Sequence, residues 1–411
     1  MRQPSSVAAG GTARARLAGA ALQFVALSVG ILLSGCSGGD LMSSGFGALD
    51  EPRSAQTFDA IGSGSVKVAL LLPMSAAGNA GSTARALKQA AELALFEFNN
   101  PDIVLIPKDT QGTAAGATAA AQQAIAEGAE LIVGPLFAQS VAAAGTVARD
   151  ANIPVIAFST DSNVAGRGVY LLSFLPNDDI AQIVEYAAGQ GQTSFAALLP
   201  EDAYGTLAEG VLHQAAAQYR AQVGAVEKYA SDSQSMVAAA TRIAAATSGP
   251  RPTVSAILMP DGPAALPSLA PVLTTNGVDP NKIKFLGSGQ WDDPKIGTEQ
   301  ALVGGWYAAP DPAGWRAFAS RYETNYGTPP PRIATLAYDA VSLAAALARQ
   351  QPGQRYTADT LTDPNGFSGV DGIFRFQANG LNQRGLAILE VQPGGGRVIR
   401  AAPKSFAARS F

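Results

Sequence analysis

The side chains able to do covalent or metal chemistry are few. The 411-residue chain holds one Cys, Cys36, and one His, His213. That count excludes zinc sites of four thiolates or of two thiolates and two imidazoles, and no intramolecular disulfide can form. A Ser-His-Asp triad has only His213 to use, and this residue lies mid-helix between Leu212 and Gln214, where it reads as a surface or packing histidine. Acids pair at Asp178-Asp179 and Asp292-Asp293, but adjacency in a loop does not hold two carboxyls across a glycosidic bond. Asp363, Asn365 and Asp371 lack the glutamate of a calcium loop. Gly62-Ser63-Gly64 precedes its strand instead of following one, so it is no dinucleotide fingerprint. The expectation is a non-enzymatic protein with no metal and no cofactor.

The N-terminus carries the most specific local signal. Arg2, Arg14 and Arg16 precede an apolar run from Leu17 to Leu33, with no acid before Cys36. A basic segment followed by such a run is a secretory signal, while its length is also the lower end of a membrane span. Leu33-Ser34-Gly35-Cys36 decides for a bacterial lipoprotein processing site, with Cys36 as the lipidated residue. Residues 1–35 are then signal peptide, and more than one acyl chain gives a stable membrane anchor. Ser37, instead of an Asp, favours the periplasmic face of the outer membrane over the inner membrane. Residues 36–65 are rich in Gly and Ser and read as a flexible tether with a span of roughly 30 Å and a reach of about 95 Å.

Hydrophobic residues make up 47% of the chain and charged ones 15%, enough for a core and too little charge for disorder. The net charge of −4, without a Lys/Arg cluster, argues against a nucleic-acid partner. From Val66 onward, short β-branched runs alternate with Ala-rich helical segments. Val66 to Leu72 predicts a strand, and Ser82-Thr83 a cap for a helix reaching Phe98. Strands follow at Ile103 to Pro107, Leu131 to Val133 and Pro154 to Phe158, with helices at Ala114 to Glu127 and from Gly134-Pro135 to Arg149. The alternation restarts at Ile180 and runs through strands at Phe195, Val223 and Val254. The pattern predicts α/β architecture with two doubly wound parallel lobes.

VKVALLLPMS, Asp109-Thr110-Gln111, IVGPLFAQS, IPVIAFSTDS and LPEDAYG resemble, in order and spacing, type I periplasmic solute-binding proteins of the leucine/isoleucine/valine-binding class. LGSGQWDDP, GGWYAAPDP, LAYDAVSLAAAL and FSGVDGIFRF are similar to the branch grouped as penicillin-binding-protein activators. The resemblance implies two Rossmann-like lobes joined by three crossovers. It gives lobe one residues 66–176 plus about 312–352, lobe two 177–311 plus about 353–401, and a tail 402–411.

Ligands of such folds sit beyond the carboxyl ends of the strands. In lobe one the candidate cleft residues are Ser75, Phe137, Ala138, Gln139, Ser140, Ser159, Thr160 and Asp161, with free N–H groups at the helix start near Gln139-Ser140 suited to a carboxylate. In lobe two they are Tyr204, Asp261, Gln290, Trp291 and Asp292. Gly134-Pro135 reads equally as a plain strand-to-helix turn, and Trp291 as a cover of the lobe interface. The resemblance implies a Ser and a Thr on the ligand carboxylate, where this chain has Ala138 and Asp161, and Asp161 would repel an anion. Tyr204 matches the aromatic expected in lobe two. The leading expectation is therefore an activator lipoprotein that binds a penicillin-binding protein and regulates peptidoglycan synthesis. The alternative is the substrate-binding lipoprotein of an ABC permease for an amino acid or other small polar ligand.

Overall fold

The computed structural model describes residues 59–249 and 253–406. Cys36, the signal segment and most of the tether lie outside them. The first lobe runs β1 (Val66–Leu72), α1 (Gly78–Glu97), β2 (Ile103–Asp109), α2 (Ala114–Ala126), β3 (Leu131–Val133), α3 (Ala138–Asp150), β4 (Val155–Ala157) and β5 (Val169–Leu171). Its five strands are parallel, in the order β2-β1-β3-β4-β5. Along β1, Val68, Leu70 and Leu72 enter one apolar core and Ala69 and Leu71 another. A strand apolar at nearly every position is what a parallel sheet covered on both faces requires, with each fully buried Val or Leu worth about 1.5–3 kcal/mol.

The second lobe follows as α4 (Pro176–Gly189), β6 (Ser194–Pro200), α5 (Ala203–Gln218), β7 (Gln222–Tyr229), α6 (Ser233–Thr247), β8 (Ala256–Leu258), α7 (Leu266–Thr275), β9 (Lys284–Gly287) and β10 (Trp306–Ala309). On β6, Ala196 and Leu198 pack to one side and Phe195, Ala197 and Leu199 to the other. Helix starts are fixed by short polar side chains: Asp202 Oδ1 accepts from Gly205 N–H at 2.8 Å and Asp232 Oδ1 from Ser235 N–H at 2.9 Å.

The chain then returns to the first lobe with α8 (Pro312–Tyr326), α9 (Ala334–Leu347), α10 (Ala358–Leu361), β11 (Phe367–Gly369), β12 (Gly372–Phe376) and β13 (Asn382–Arg384). It ends in the second lobe with β14 (Ala387–Gln392) and β15 (Gly395–Arg400), which extend that sheet to the order β15-β14-β10-β9-β8-β6-β7. Strand β14 runs antiparallel to β10, and β15 antiparallel to β14. Three crossovers therefore join the lobes: after β5, after β10, and between β13 and β14. Among the described residues no helix is long and apolar enough to cross a membrane.

Three expectations are corrected. Helix α1 begins at Gly78 instead of at Ser82-Thr83, and Ser82 Oγ donates to Asn79 O inside the first turns. Strand β5, which the sequence reading did not include, is only three residues long, too short for a periodic pattern. The stretch from 353, given to lobe two, packs first in lobe one: Tyr356, Leu361, Phe374 and Phe376 belong to its core, with Phe376 5.3 Å from the Tyr170 ring. The β11-β12-β13 sheet delays the third crossover until Gly385.

Candidate functional site

The crossovers put a cavity of about 370 Å³ between the lobes. Lobe one supplies Thr160, Phe174 and Arg332 to its wall; Arg384 comes from the last strand before the third crossover. From lobe two come Tyr204, Gln290 and Asp292, and the start of α4 adds Asp178 and Asp179. Leu175, Pro176, Ala308, Pro310 and Leu386 make the remaining surface apolar. A volume in this range with a few convergent polar groups is the usual form of a small-molecule site.

The α4 acids owe their place to Pro176, which starts the helix directly after the first crossover and leaves them in its first turn. Asp178 Oδ2 accepts from the Arg384 backbone N–H at 2.8 Å. Asp179 Oδ2 accepts from Gly289 N–H at 2.7 Å and its Oδ1 from Ile180 N–H at 2.7 Å. Burial pushes Asp178 up to about 6 and Asp179 up to about 7, in spite of these hydrogen bonds. On the same lobe, burial also raises Asp292, while the Arg332 charge on the facing lobe draws it down. Tyr204 O–H donates to Pro260 O at 2.9 Å, and burial together with the Asp179 charge pushes it up to about 12.

Of the candidates, Thr160, Tyr204, Gln290 and Asp292 meet at this cavity. The others are occupied elsewhere. Ser75 donates its N–H to Asp109 Oδ1 at 3.3 Å in the turn after β1. Phe137 and Ala138 form the start of α3, where Gln139 Nε2 donates to Gly112 O at 2.9 Å and buried Ser140 Oγ to Thr113 O at 3.3 Å. Those side chains tie α3 to the loop before α2. Ser159 Oγ accepts from Asp161 N–H at 3.1 Å, and Asp161 Oδ1 accepts from Asn163 N–H at 3.0 Å, so both close a local turn. Asp261 Oδ2 accepts from Tyr229 O–H at 2.8 Å beside the site instead of within its wall.

Trp291 is a correction. It is 1% exposed, lies in the lobe-two core, and its indole N–H donates to Met259 O at 2.9 Å. Its ring lies on Gly287, where a Cβ would come within 2.0 Å of it. Gly134 is likewise structural: its φ is +91° and a Cβ there would meet Leu71 O at 2.1 Å.

Sequence reasoning missed Phe174, Arg332 and Arg384 as site residues, and set the Asp178-Asp179 pair aside as loop neighbours. The pair carried a usable signal, two acids just after a proline at a helix start. Arg332 and Arg384 carried none, because their place depends on where the second and third crossovers return.

The sequence pattern of the periplasmic binding protein family matches residues 65–396. The chain belongs to that family. Solved periplasmic binding proteins share its fold. A putative branched-chain amino acid ABC transporter protein from Rhodospirillum rubrum is 20% identical with a TM-score of 0.70, covering 81% of this chain and 99% of that one. A solute-binding protein of an ABC transporter from Rhodopseudomonas palustris, in complex with 3,4-dihydroxybenzoic acid, is 20% identical with a TM-score of 0.57, covering 82% and 96%. LivJ from Streptococcus pneumoniae, in complex with isoleucine, is 19% identical with a TM-score of 0.56, covering 82% and 99%. No curated protein matches the chain significantly.

Proposed function

We propose that the protein is the envelope receptor for a small solute, working with an ABC permease. One observation carries this reading: a cavity of about 370 Å³ whose wall is shared by both lobes and by the chain at all three crossovers. Two of the similar structures hold small ligands, 3,4-dihydroxybenzoic acid and isoleucine. A ligand in such a place contacts both lobes at once, so it favours their closed arrangement and marks the loaded receptor for a permease.

The activator reading drew support from the loss of amino-acid contacts at Ala138 and Asp161. The cavity here is walled by Thr160 and the crossovers instead, so that loss does not argue against a solute. The receptor reading therefore takes first place. Thermal melting of the protein with amino acids, aromatic and aliphatic acids, sugars, amines and muropeptides tests it. A ligand at 100 times its Kd should stabilise by about 2.7 kcal/mol, a rise of several degrees. No shift from any solute, together with capture of a penicillin-binding protein, would return the activator to first place.

The anchor at Cys36 is part of the same proposal. Cys36→Ser, expressed in a diderm bacterium, should move the protein from the membrane fraction to the soluble periplasmic fraction. Unchanged membrane association of the variant would point to the Leu17 to Leu33 segment as an uncleaved span.

A further inference from the structure

Strand β15 stops at Arg400 in lobe two, and residues 401–406 then run back over the third crossover to lobe one. Ala402 still packs against the lobe-two core. Pro403 lies on Gly385, in the crossover between β13 and β14, where a Cβ would come within 2.8 Å of the proline Cγ. Phe406, partly buried, reaches lobe one. Its ring centroid is 4.6 Å from Arg375 Cζ on β12, and the ring lies on Gly366, where a Cβ would come within 2.9 Å of it. A side chain at either glycine would displace the tail.

Arg375 is held in place for this contact. Its Nε donates to Gln383 Oε1 at 2.9 Å and its Nη1 to Pro364 O at 3.0 Å, both within lobe one. The guanidinium therefore presents a fixed face to the Phe406 ring, which lowers the ordering cost of a cation–π contact.

Beneath the tail lies a second cavity, of about 390 Å³. Asp178, Gln182 and Glu185 of α4 and Gln218 beside α5 wall it on the lobe-two side, Arg375 and Gln383 on the lobe-one side, and Pro403, Ser405 and Phe406 border it. Side chains that line a void have no partner atoms across it, so packing adds little cohesion between the lobes at this place. Cohesion there falls to discrete links. Arg384 N–H donates to Asp178 Oδ2 at 2.8 Å, Gln182 Nε2 donates to Arg384 O at 3.0 Å, and Leu386 N–H donates to Gln182 Oε1 at 3.3 Å. The tail is a further link, and it spans the whole distance from the lobe-two core to β12.

We propose that residues 401–406 are a strap: docked on Arg375 and Gly366 through Phe406, they hold the two lobes in one arrangement and oppose rotation about the crossovers. Any ligand that favours a different arrangement must work against the strap, whose release shifts the population of lobe arrangements without touching the cleft.

Amide hydrogen exchange on the full protein without solute tests this, read on a peptide covering 381–387 and, as controls, on peptides covering β1 and β6. The Arg384 and Leu386 amides in the first peptide both donate to α4 side chains, so their exchange reports separation at the third crossover. Phe406→Ala should speed exchange of that peptide at least about tenfold and leave β1 and β6 at the parent rate. A chain ending at Arg400 should do the same. Phe406→Ala removes one side chain near the chain end, so it decides the question alone if the shortened chain does not fold. An unchanged rate over 381–387 overturns the proposal. An equal rise in β1 and β6 also overturns it, because the tail would then stabilise the fold as a whole. No solute is present, so the outcome is independent of the receptor reading.

Discussion

Trp291→Ala should lower stability by about 3–5 kcal/mol, the cost of removing a large aromatic from a packed interior. The indole sits in a space shaped for it: Gly287 and Gly305 carry no Cβ where the ring lies, and Met259 O would lose the indole N–H. Thermal melting should show a drop on the order of 10 °C, read from the lobe-two transition. A tryptophan that merely faced the cleft would behave in the opposite way, with melting unchanged and solute affinity reduced. The measurement therefore separates a core residue from a recognition residue at the position where sequence reasoning expected cleft exposure.

Stability should also fall as pH rises from about 4 to about 7, against the ordinary direction for carboxylates. Burial holds Asp179 at about 7, Asp178 at about 6 and Asp339 at about 7, all above the usual 3.8. A carboxyl raised in the folded state keeps a proton that the unfolded chain has already released. Its contribution is complete below 3.8 and is lost as pH climbs through the folded value. For Asp179 the upper bound is about 4 kcal/mol, reduced by whatever solvent enters the cavity. Groups lowered in the folded state, such as Glu127 beside Lys108, act the other way and lose their contribution as pH falls. Urea unfolding at pH 4.5, 5.5, 6.5 and 7.5 should show the highest stability at pH 4.5 and a decline toward pH 7.5, and Asp179→Asn should flatten the decline. A flat or rising profile from pH 5 to 7 would show these acids ionised and solvated in the folded protein.

The two predictions draw on different kinds of information. VKVALLL and its successors announce buried parallel strands because burial on both faces demands apolar residues at consecutive positions, a local property of sequence. Thr113, Asp202 and Asp232 announce helix starts for the same local reason. Tyr204, Thr160, Gln290 and Asp292 could be found because strand ends in such sheets point to one edge. Trp291 stands in the same short loop as Gln290 and Asp292, yet only packing decides that its ring turns inward onto Gly287 while its neighbours turn out.

The α/β alternation, the two lobes, the scarcity of Cys and His chemistry and the edge at which a ligand would be met are all legible in the amino-acid order. All of these follow from periodicity or composition over a few neighbouring residues. Tertiary structure alone decided that Arg332 and Arg384, 52 positions apart, flank one Phe174 ring, that Asp178 and Asp179 enter a desolvated wall, and that the β11-β12-β13 sheet belongs to lobe one. Such placements depend on where a chain returns after a crossover, and the free energy that fixes each return comes from contacts between segments that no local pattern connects.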